Sequence, residues 1–244
     1  MSNTPAADAL NPDDRAGQAL AWMRRWSHWF RDTCTIDDLP HCDTRAMSVI
    51  TSETSRLKRH QLFPPHSGSI LDWLPDDLLA ELVEEGCSAI AERGYQVDGK
   101  WNAEVGPVAE SLLDLVDLPS VVRRVASIHV TQPHAATYIG YRDENDSLDF
   151  HVDAPGFGDV NLIICLNHDK PDPLGASETV FVTPEGLVRI ASSRGSFILF
   201  DGVFTPHGRT PVRRGEQVVL LSLGFKVVQP KRAIRWDHLP IPEA

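Results

Sequence analysis

From residue 127 onward the sequence breaks into short β-rich runs separated by turn-forming residues, and this texture constrains the fold more than any other feature. The runs cover 127–131, 136–141, 148–152, 160–166, 179–183, 187–190, 196–200 and 217–228. Between them stand Pro155-Gly156, Pro184-Glu185-Gly186, Asp201-Gly202 and Arg214-Gly215, residue types that supply the backbone conformations of tight turns. No helical pattern intervenes, so the parallel crossovers of an alternating βα fold have nothing to build them. The pattern predicts a closed or double-sheet β architecture rather than alternating βα units.

The preceding part reads as helical. Residues 1–12 are polar and rich in Ala, Asn and Pro, the composition of a disordered tail. Asp13 and Asp14 precede a run over 14–33 in which Leu20, Met23, Trp26 and Phe30 share a helical stripe, expected to pack on the parent domain. Residues 34–70 carry Pro40, Pro64, Pro65 and Gly68 and read as irregular. A helix then begins after Pro75, with Asp76 and Asp77 in its first turn. Its stripe is Leu78, Leu79, Leu82, Val83, Cys87 and Ile90, and Gly94 stops it. Shorter helices are expected at 107–117 and 119–126. The whole is an α+β chain: a helical N-terminal region over 13–126, a β core over 127–230 and an extension over 231–244.

Composition bounds the partners. The 244 residues carry a net charge of −11, which repels a polyanion, so a nucleic-acid substrate is disfavoured. No run approaches the ~18 apolar residues of a membrane span. The first twenty residues lack the apolar core of a signal peptide, so a cytoplasmic location is expected. Cys34, Cys42, Cys87 and Cys165 form no C-x-x-C pair and are expected to be reduced thiols.

The candidate chemistry sits in Phe150-His151-Val152-Asp153, read as a strand end. Residues i and i+2 of a strand share a face, so His151 and Asp153 can offer a nitrogen and a carboxylate oxygen to one metal. His207, after the run 196–200 and the turn Asp201-Gly202, is the third candidate. Two His and one carboxylate on one face of an octahedron leave three positions open, the ligand set of non-haem iron(II) oxygenases. The H-x-D spacing alone is weak. About one match is expected by chance in such a chain, and His41-Cys42-Asp43 is a second match in a segment without strand pattern. Strand context and His207 distinguish the first.

These segments resemble the iron(II)/2-oxoglutarate-dependent dioxygenases, prolyl-hydroxylase-like branch, over about a third of the chain. YRDENDSLDFHVD carries the first two ligands, NLIICLN is similar to the next core strand, and SETVFV to a strand that commonly contains G-E-T. RGSFILFDG leads to the last ligand, and HGRTPVRRGEQ resembles the H-x-x-x-P-V-x-x-G-x-R element. The resemblance implies a double-stranded β-helix (jelly-roll) core. It also implies iron(II), 2-oxoglutarate and dioxygen as cofactors, with His151, Asp153 and His207 as metal ligands. Because Asp153 is present, it implies hydroxylation rather than halogenation, with desaturation, ring formation and epoxidation, which use the same triad, left open. A small-molecule substrate, an amino acid or natural-product intermediate, is expected ahead of a protein or peptide side chain.

In that family a basic residue closes the last element and pairs with the distal carboxylate of 2-oxoglutarate. Here Gln217 stands in its place, and glutamine cannot neutralise a charge. Arg209, Arg213 or Arg214 in the connecting turn, or Arg142, can take over; a polar set of Tyr138, Tyr141 and Gln217 can suffice; or the cosubstrate differs. The first is favoured, with Arg213, Arg209, Gln217 and Tyr141 as the candidate cosubstrate residues. Tyr138 and Tyr141 are three apart and face opposite ways in a strand, so at most one lines the site. Other classes fare worse. There is no G-x-S-x-G nucleophile elbow. The Gly156-x-Gly158 pair meets Asn161 where a dinucleotide fingerprint needs a third glycine. A non-catalytic metal-binding jelly roll stays as the alternative.

Overall fold

In the computed structural model, residues 61–170, 175–183 and 185–228 are described. The tail at 1–12, the run at 14–33, His41, Asp43, Cys34, Cys42 and the extension at 231–244 lie outside them. In chain order the elements are β1 (His66–Ser69), α1 (Asp76–Arg93), β2 (Tyr95–Val97), β3 (Lys100–Ala103), α2 (Pro107–Leu115) and α3 (Leu118–Ala126). The strands β4 (Ala135–Tyr141), β5 (Leu148–His151), β6 (Val160–Asp169), β7 (Thr179–Thr183) and β8 (Gly186–Ile190) follow. The last three are β9 (Ser196–Asp201), β10 (His207–Arg209) and β11 (Gln217–Phe225).

Every strand pair is antiparallel. A seven-stranded sheet has the order β1-β9-β6-β11-β4-β3-β2, and a four-stranded sheet the order β5-β10-β7-β8. The alternation of side chains divides the large sheet into two faces. Leu162, Ile164 and Leu166 of β6, Leu199 of β9, Tyr138 of β4, and Val219, Leu221 and Leu223 of β11 join one core cluster with the helices. The intervening Ile139, Tyr141, Cys165, Val218 and Leu220 form a second cluster on the opposite face. There Ile198 and Phe200 of β9 meet Phe181 of the small sheet. The strands therefore read as near-continuous apolar runs because both faces are covered.

Helix α1 covers the outer face. Pro75 stands at its N-cap in extended conformation, and Asp76, Asp77 and Arg93 complement the helix dipole at its two ends. Leu82 is fully buried beneath it, and Leu82→Ala is expected to cost about 2–5 kcal/mol. Helix and sheet approach closely at two glycines. A Cβ on Gly86 would lie 3.0 Å from a Leu166 methyl, and one on Gly140 2.7 Å from Ile90. Glu85 of α1 accepts hydrogen bonds from the N–H groups of Gly106, Val108 and Ala109, closing the start of α2, and from the Tyr138 hydroxyl at 2.6 Å.

Several expectations need revision. The run 127–131 is not a strand; only Val130 forms an isolated bridge, to Val227. The segment 34–70, read as irregular, ends in β1, an edge strand on β9. The region up to 126 adds β2 and β3 to the large sheet as well as helices, joined through Asp98 and Gly99 at positive φ (50° and 76°). Residues 207–209, read as part of a connecting turn, form β10 between β5 and β7. No helix among the described residues is long and apolar enough to cross a membrane. Cys87 and Cys165 are free thiols.

Candidate active site

Between the sheets lies a cavity of about 170 Å³. Its wall on the large sheet is formed by Lys100, Asn102, Thr137, Ile139, Tyr141, Asn161, Ile163, Phe200, Leu220 and Ser222. Leu148, His151, Thr179 and the β10 residues His207, Gly208 and Arg209 face them, with Asp153 and Phe157 from the connecting segment.

His207 and His151 are direct cross-strand partners of β10 and β5. Side chains so placed share a face a few ångströms apart, and the ring centroids are 4.3 Å apart. Asp153 lies just beyond β5, where its N–H donates to the Gly202 carbonyl at 2.8 Å. One ligand atom each from His151, Asp153 and His207 lies within 4.8 Å of the others. His151 Nε2 is 3.5 Å from Asp153 Oδ1, and His207 Nε2 is 3.5 Å from Asp153 Oδ2.

The tautomers follow from the partners. His151 Nδ1 meets the Asp149 carbonyl and His207 Nδ1 the Thr205 carbonyl, both at 2.9 Å. A carbonyl only accepts, so each Nδ1 carries the proton and each Nε2 lone pair points at the triad, as a metal requires. Burial drives the His207 pKa down to about 4, which keeps this imidazole neutral near pH 7. Burial alone would raise the Asp153 pKa, but the electrostatic influence of His207, His151 and Lys100 outweighs it and holds the carboxyl below its ordinary value. Phe200 meets the His207 ring edge-on at 4.6 Å and Phe181 stacks at 5.8 Å, fixing its plane.

Neighbours that sequence reasoning missed hold the triad. Asn161 donates from Nδ2 to Asp153 Oδ2. Gly202 leaves room for that carboxylate, since a Cβ there would meet Oδ2 at 2.6 Å. Asp201 accepts from the N–H groups of Leu62 and Phe204, shaping the loop whose Thr205 carbonyl orients His207.

Of the candidate cosubstrate residues, the structure brings two into the cavity. Arg209 lies two residues beyond His207 on β10, on the same face, and is 2% exposed. It donates to Thr179 Oγ1 (3.3 Å), the Ser177 carbonyl (3.3 Å) and Ser177 Oγ (2.9 Å), and its guanidinium sits 5.2 Å from the Tyr141 ring centroid. Its Nε has no hydrogen-bond partner. Tyr141 is buried in the cavity wall, while Tyr138 faces the outer core. Gln217 is exposed at the start of β11 and outside the lining. Arg213 is exposed in the following turn, its guanidinium lying over Gly175, and Arg214 is also exposed. Arg142 stacks on Trp101 instead, at 3.5 Å.

A buried side-chain network braces Arg209. Ser177 Oγ donates to Glu216 Oε1 at 2.7 Å, and the same oxygen lies 2.7 Å from His168 Nε2. Burial opposes the Glu216 charge, but the Arg213 N–H, His168 and Ser177 hold its pKa below the ordinary value. Among the described residues no carboxylate lies within 4.0 Å of the Arg209 guanidinium. A buried cation with no carboxylate at ion-pair distance and its Nε–H unspent suits a ligand carboxylate. The donor set at the other end, two imidazoles and one carboxylate, suits a divalent iron.

The sequence matches no protein-family model, and no curated protein matches it. The structure, however, is similar to several solved ones. Against the non-heme alpha ketoglutarate dependent epimerase SnoN from nogalamycin biosynthesis, the TM-score is 0.56 at 14% identity, covering 83% of this chain and 92% of that one. Against a Pseudomonas putida prolyl-4-hydroxylase it is 0.54 at 16% identity, covering 74% and 100%. Against a Trichoplax adhaerens prolyl hydroxylase, solved with a hypoxia inducible factor peptide fragment, it is 0.53 at 14% identity, covering 75% and 93%. The two facing antiparallel sheets are thus the fold that this chain shares with these solved structures, consistent with a jelly roll.

Proposed function

We propose that the protein is an iron(II)- and 2-oxoglutarate-dependent oxygenase that hydroxylates a small molecule. The observation that carries this is one cavity with a His-Asp-His triad at one end and a buried Arg, its Nε unpartnered, at the other. His151, Asp153 and His207 would hold the metal, and three coordination positions stay open for cosubstrate and dioxygen. The bound iron supplies dioxygen activation coupled to oxidative decarboxylation of 2-oxoglutarate. Arg209 receives the distal carboxylate, and Tyr141 and Thr179 wall its path. Phe157, Phe200, Ile163 and Leu220 keep the interior apolar, which excludes water and strengthens each charge interaction. Asp153, kept ionised, lowers the charge of the metal site and leaves no room for a halide, which favours hydroxylation.

The test is succinate release from 2-oxoglutarate, measured with and without iron(II) and dioxygen across candidate small molecules and peptides. Iron- and dioxygen-dependent succinate, stimulated by small molecules, is expected. Iron binding without succinate would favour a non-catalytic metal-binding jelly roll, and stimulation by peptides alone would move the substrate class.

A further inference from the structure

We infer that Lys100 binds an anionic group of the substrate, which makes that substrate a carboxylic acid. This rests on the oxygenase reading of the site and names the chemistry of what enters it.

The cavity contains two cations that act on different groups. The charge of Arg209 bears on Tyr141, Cys165 and His168, deep between the sheets. The charge of Lys100 bears on Asp153 and His207, at the metal end. That end is the open one. The side chains of His151 and Asp153 are 29% and 18% exposed, while Arg209 is 2% exposed. Lys100 itself is half-buried. It therefore stands beside the triad on the side from which a substrate arrives.

Its placement is built in. On β3, Lys100 and Asn102 alternate into the cavity, whereas Trp101 packs on the helical side. The Asp98-Gly99 turn that starts β3 is tied to the segment leading into β5. Ser147 N–H donates to the Gly99 carbonyl at 2.9 Å, and Gln96 donates to Asp146 Oδ1 at 3.3 Å. The same segment carries His151 four residues later, so the ammonium is fixed relative to the triad.

Asp153 and Asp98 act on this charge only from a distance. Among the described residues, Lys100 Nζ has no hydrogen-bond partner and no carboxylate within 4.0 Å. Asp153 already accepts a hydrogen bond from Asn161 and turns its two oxygens towards the two imidazoles of the triad. An ammonium has three donors, and here they face a partly desolvated mouth, where an ionic hydrogen bond is worth more than at the surface. A cavity of about 170 Å³ must also hold the cosubstrate. Only the reacting part of the substrate enters, and its carboxylate stays at the mouth within reach of Lys100.

The test uses anaerobic full-length protein loaded with iron(II) and saturating 2-oxoglutarate. It is titrated with short-chain and aromatic carboxylic acids, each paired with its primary amide, and with phosphate monoesters. Binding is read from the shift of the visible metal-to-ligand charge-transfer band. The acids should shift the band and their amides should not. Lys100→Met should weaken acid binding about tenfold or more, Lys100→Arg should restore it, and the 2-oxoglutarate affinity should change less than about twofold in both. Amides binding as well as acids, or no acid binding, would overturn the inference. So would a Lys100→Met protein that binds acids normally or loses 2-oxoglutarate instead. A preference for phosphate monoesters over acids overturns the carboxylate assignment. A wild-type protein with no charge-transfer band overturns the oxygenase reading as well, and is separately recognisable.

Discussion

The two ends of the cavity are built by different means. At the metal end the hydrogen bonds that orient the two imidazoles go to backbone, His151 to the Asp149 carbonyl and His207 to the Thr205 carbonyl, and the Asp153 N–H donates to the Gly202 carbonyl, with Asn161 the one side-chain hydrogen-bond donor to that carboxylate. At the far end they run through side chains, from Arg209 to Ser177 to Glu216 to His168. Backbone partners cannot be deleted by substitution, so the metal end should fail outright when a ligand itself is lost. A side-chain relay can be shortened one member at a time, so the far end should degrade in steps.

The largest effect belongs to the ligands. His207→Ala should abolish iron binding and turnover together, and Asp153→Gly should lose hydroxylation because a ligand atom and a negative charge vanish at once. Iron content and succinate formation check both; full activity in His207→Ala would break the triad assignment. Arg209→Met comes next. It should weaken 2-oxoglutarate binding about 100-fold, on the order of 3 kcal/mol, with iron content unchanged. Thermal unfolding of the ligand-free variant should show little loss of stability, because a buried charge with no carboxylate at ion-pair distance is removed. Ser177→Ala should cost roughly tenfold or less in the same affinity, since Arg209 keeps Thr179 and the Ser177 carbonyl. The smallest effect is the sharpest contrast. Gln217→Ala and Arg213→Ala should each change 2-oxoglutarate affinity less than about twofold, because both side chains are exposed away from the cavity.

The same contrast explains what could be read from the sequence. β7 falls at its expected bounds, and β4, β6 and β9 lie within a few residues of theirs, because long apolar runs bounded by turn residues carry a strong signal. The triad was legible because H-x-D on a strand end is a local pattern. The far end was legible only in part: Arg209 and Tyr141 were among the candidates, but Gln217 and Arg213 stood beside them, because its parts come from β4, β7, β10 and the segment around Ser177, which meet only in the folded sheet. Strand alternation does place Gln217, Val219, Leu221 and Leu223 on one face. It does not say which face, and the helices cover that one. Arg209 stood among the candidates but could not be singled out, because β10 is three buried residues long, too short for a periodic signal. Had residues 207–209 been read as a strand, the spacing of two from His207 would have put Arg209 ahead of Arg213. The β2–β3 hairpin had a visible mark in Asp98-Gly99, but its strands of three and four residues, the first exposed throughout, carry no alternation. Lys100 was overlooked with it.

The most direct test is an anaerobic titration of the iron(II)-loaded protein with 2-oxoglutarate, followed by the visible charge-transfer band. The band should form in the wild type and in Gln217→Ala at the same concentration. It should need about 100 times more 2-oxoglutarate in Arg209→Met and be absent in His207→Ala. Iron bound without any band in the wild type, or an unchanged titration in Arg209→Met, would contradict the claim that the triad and Arg209 form one cosubstrate site.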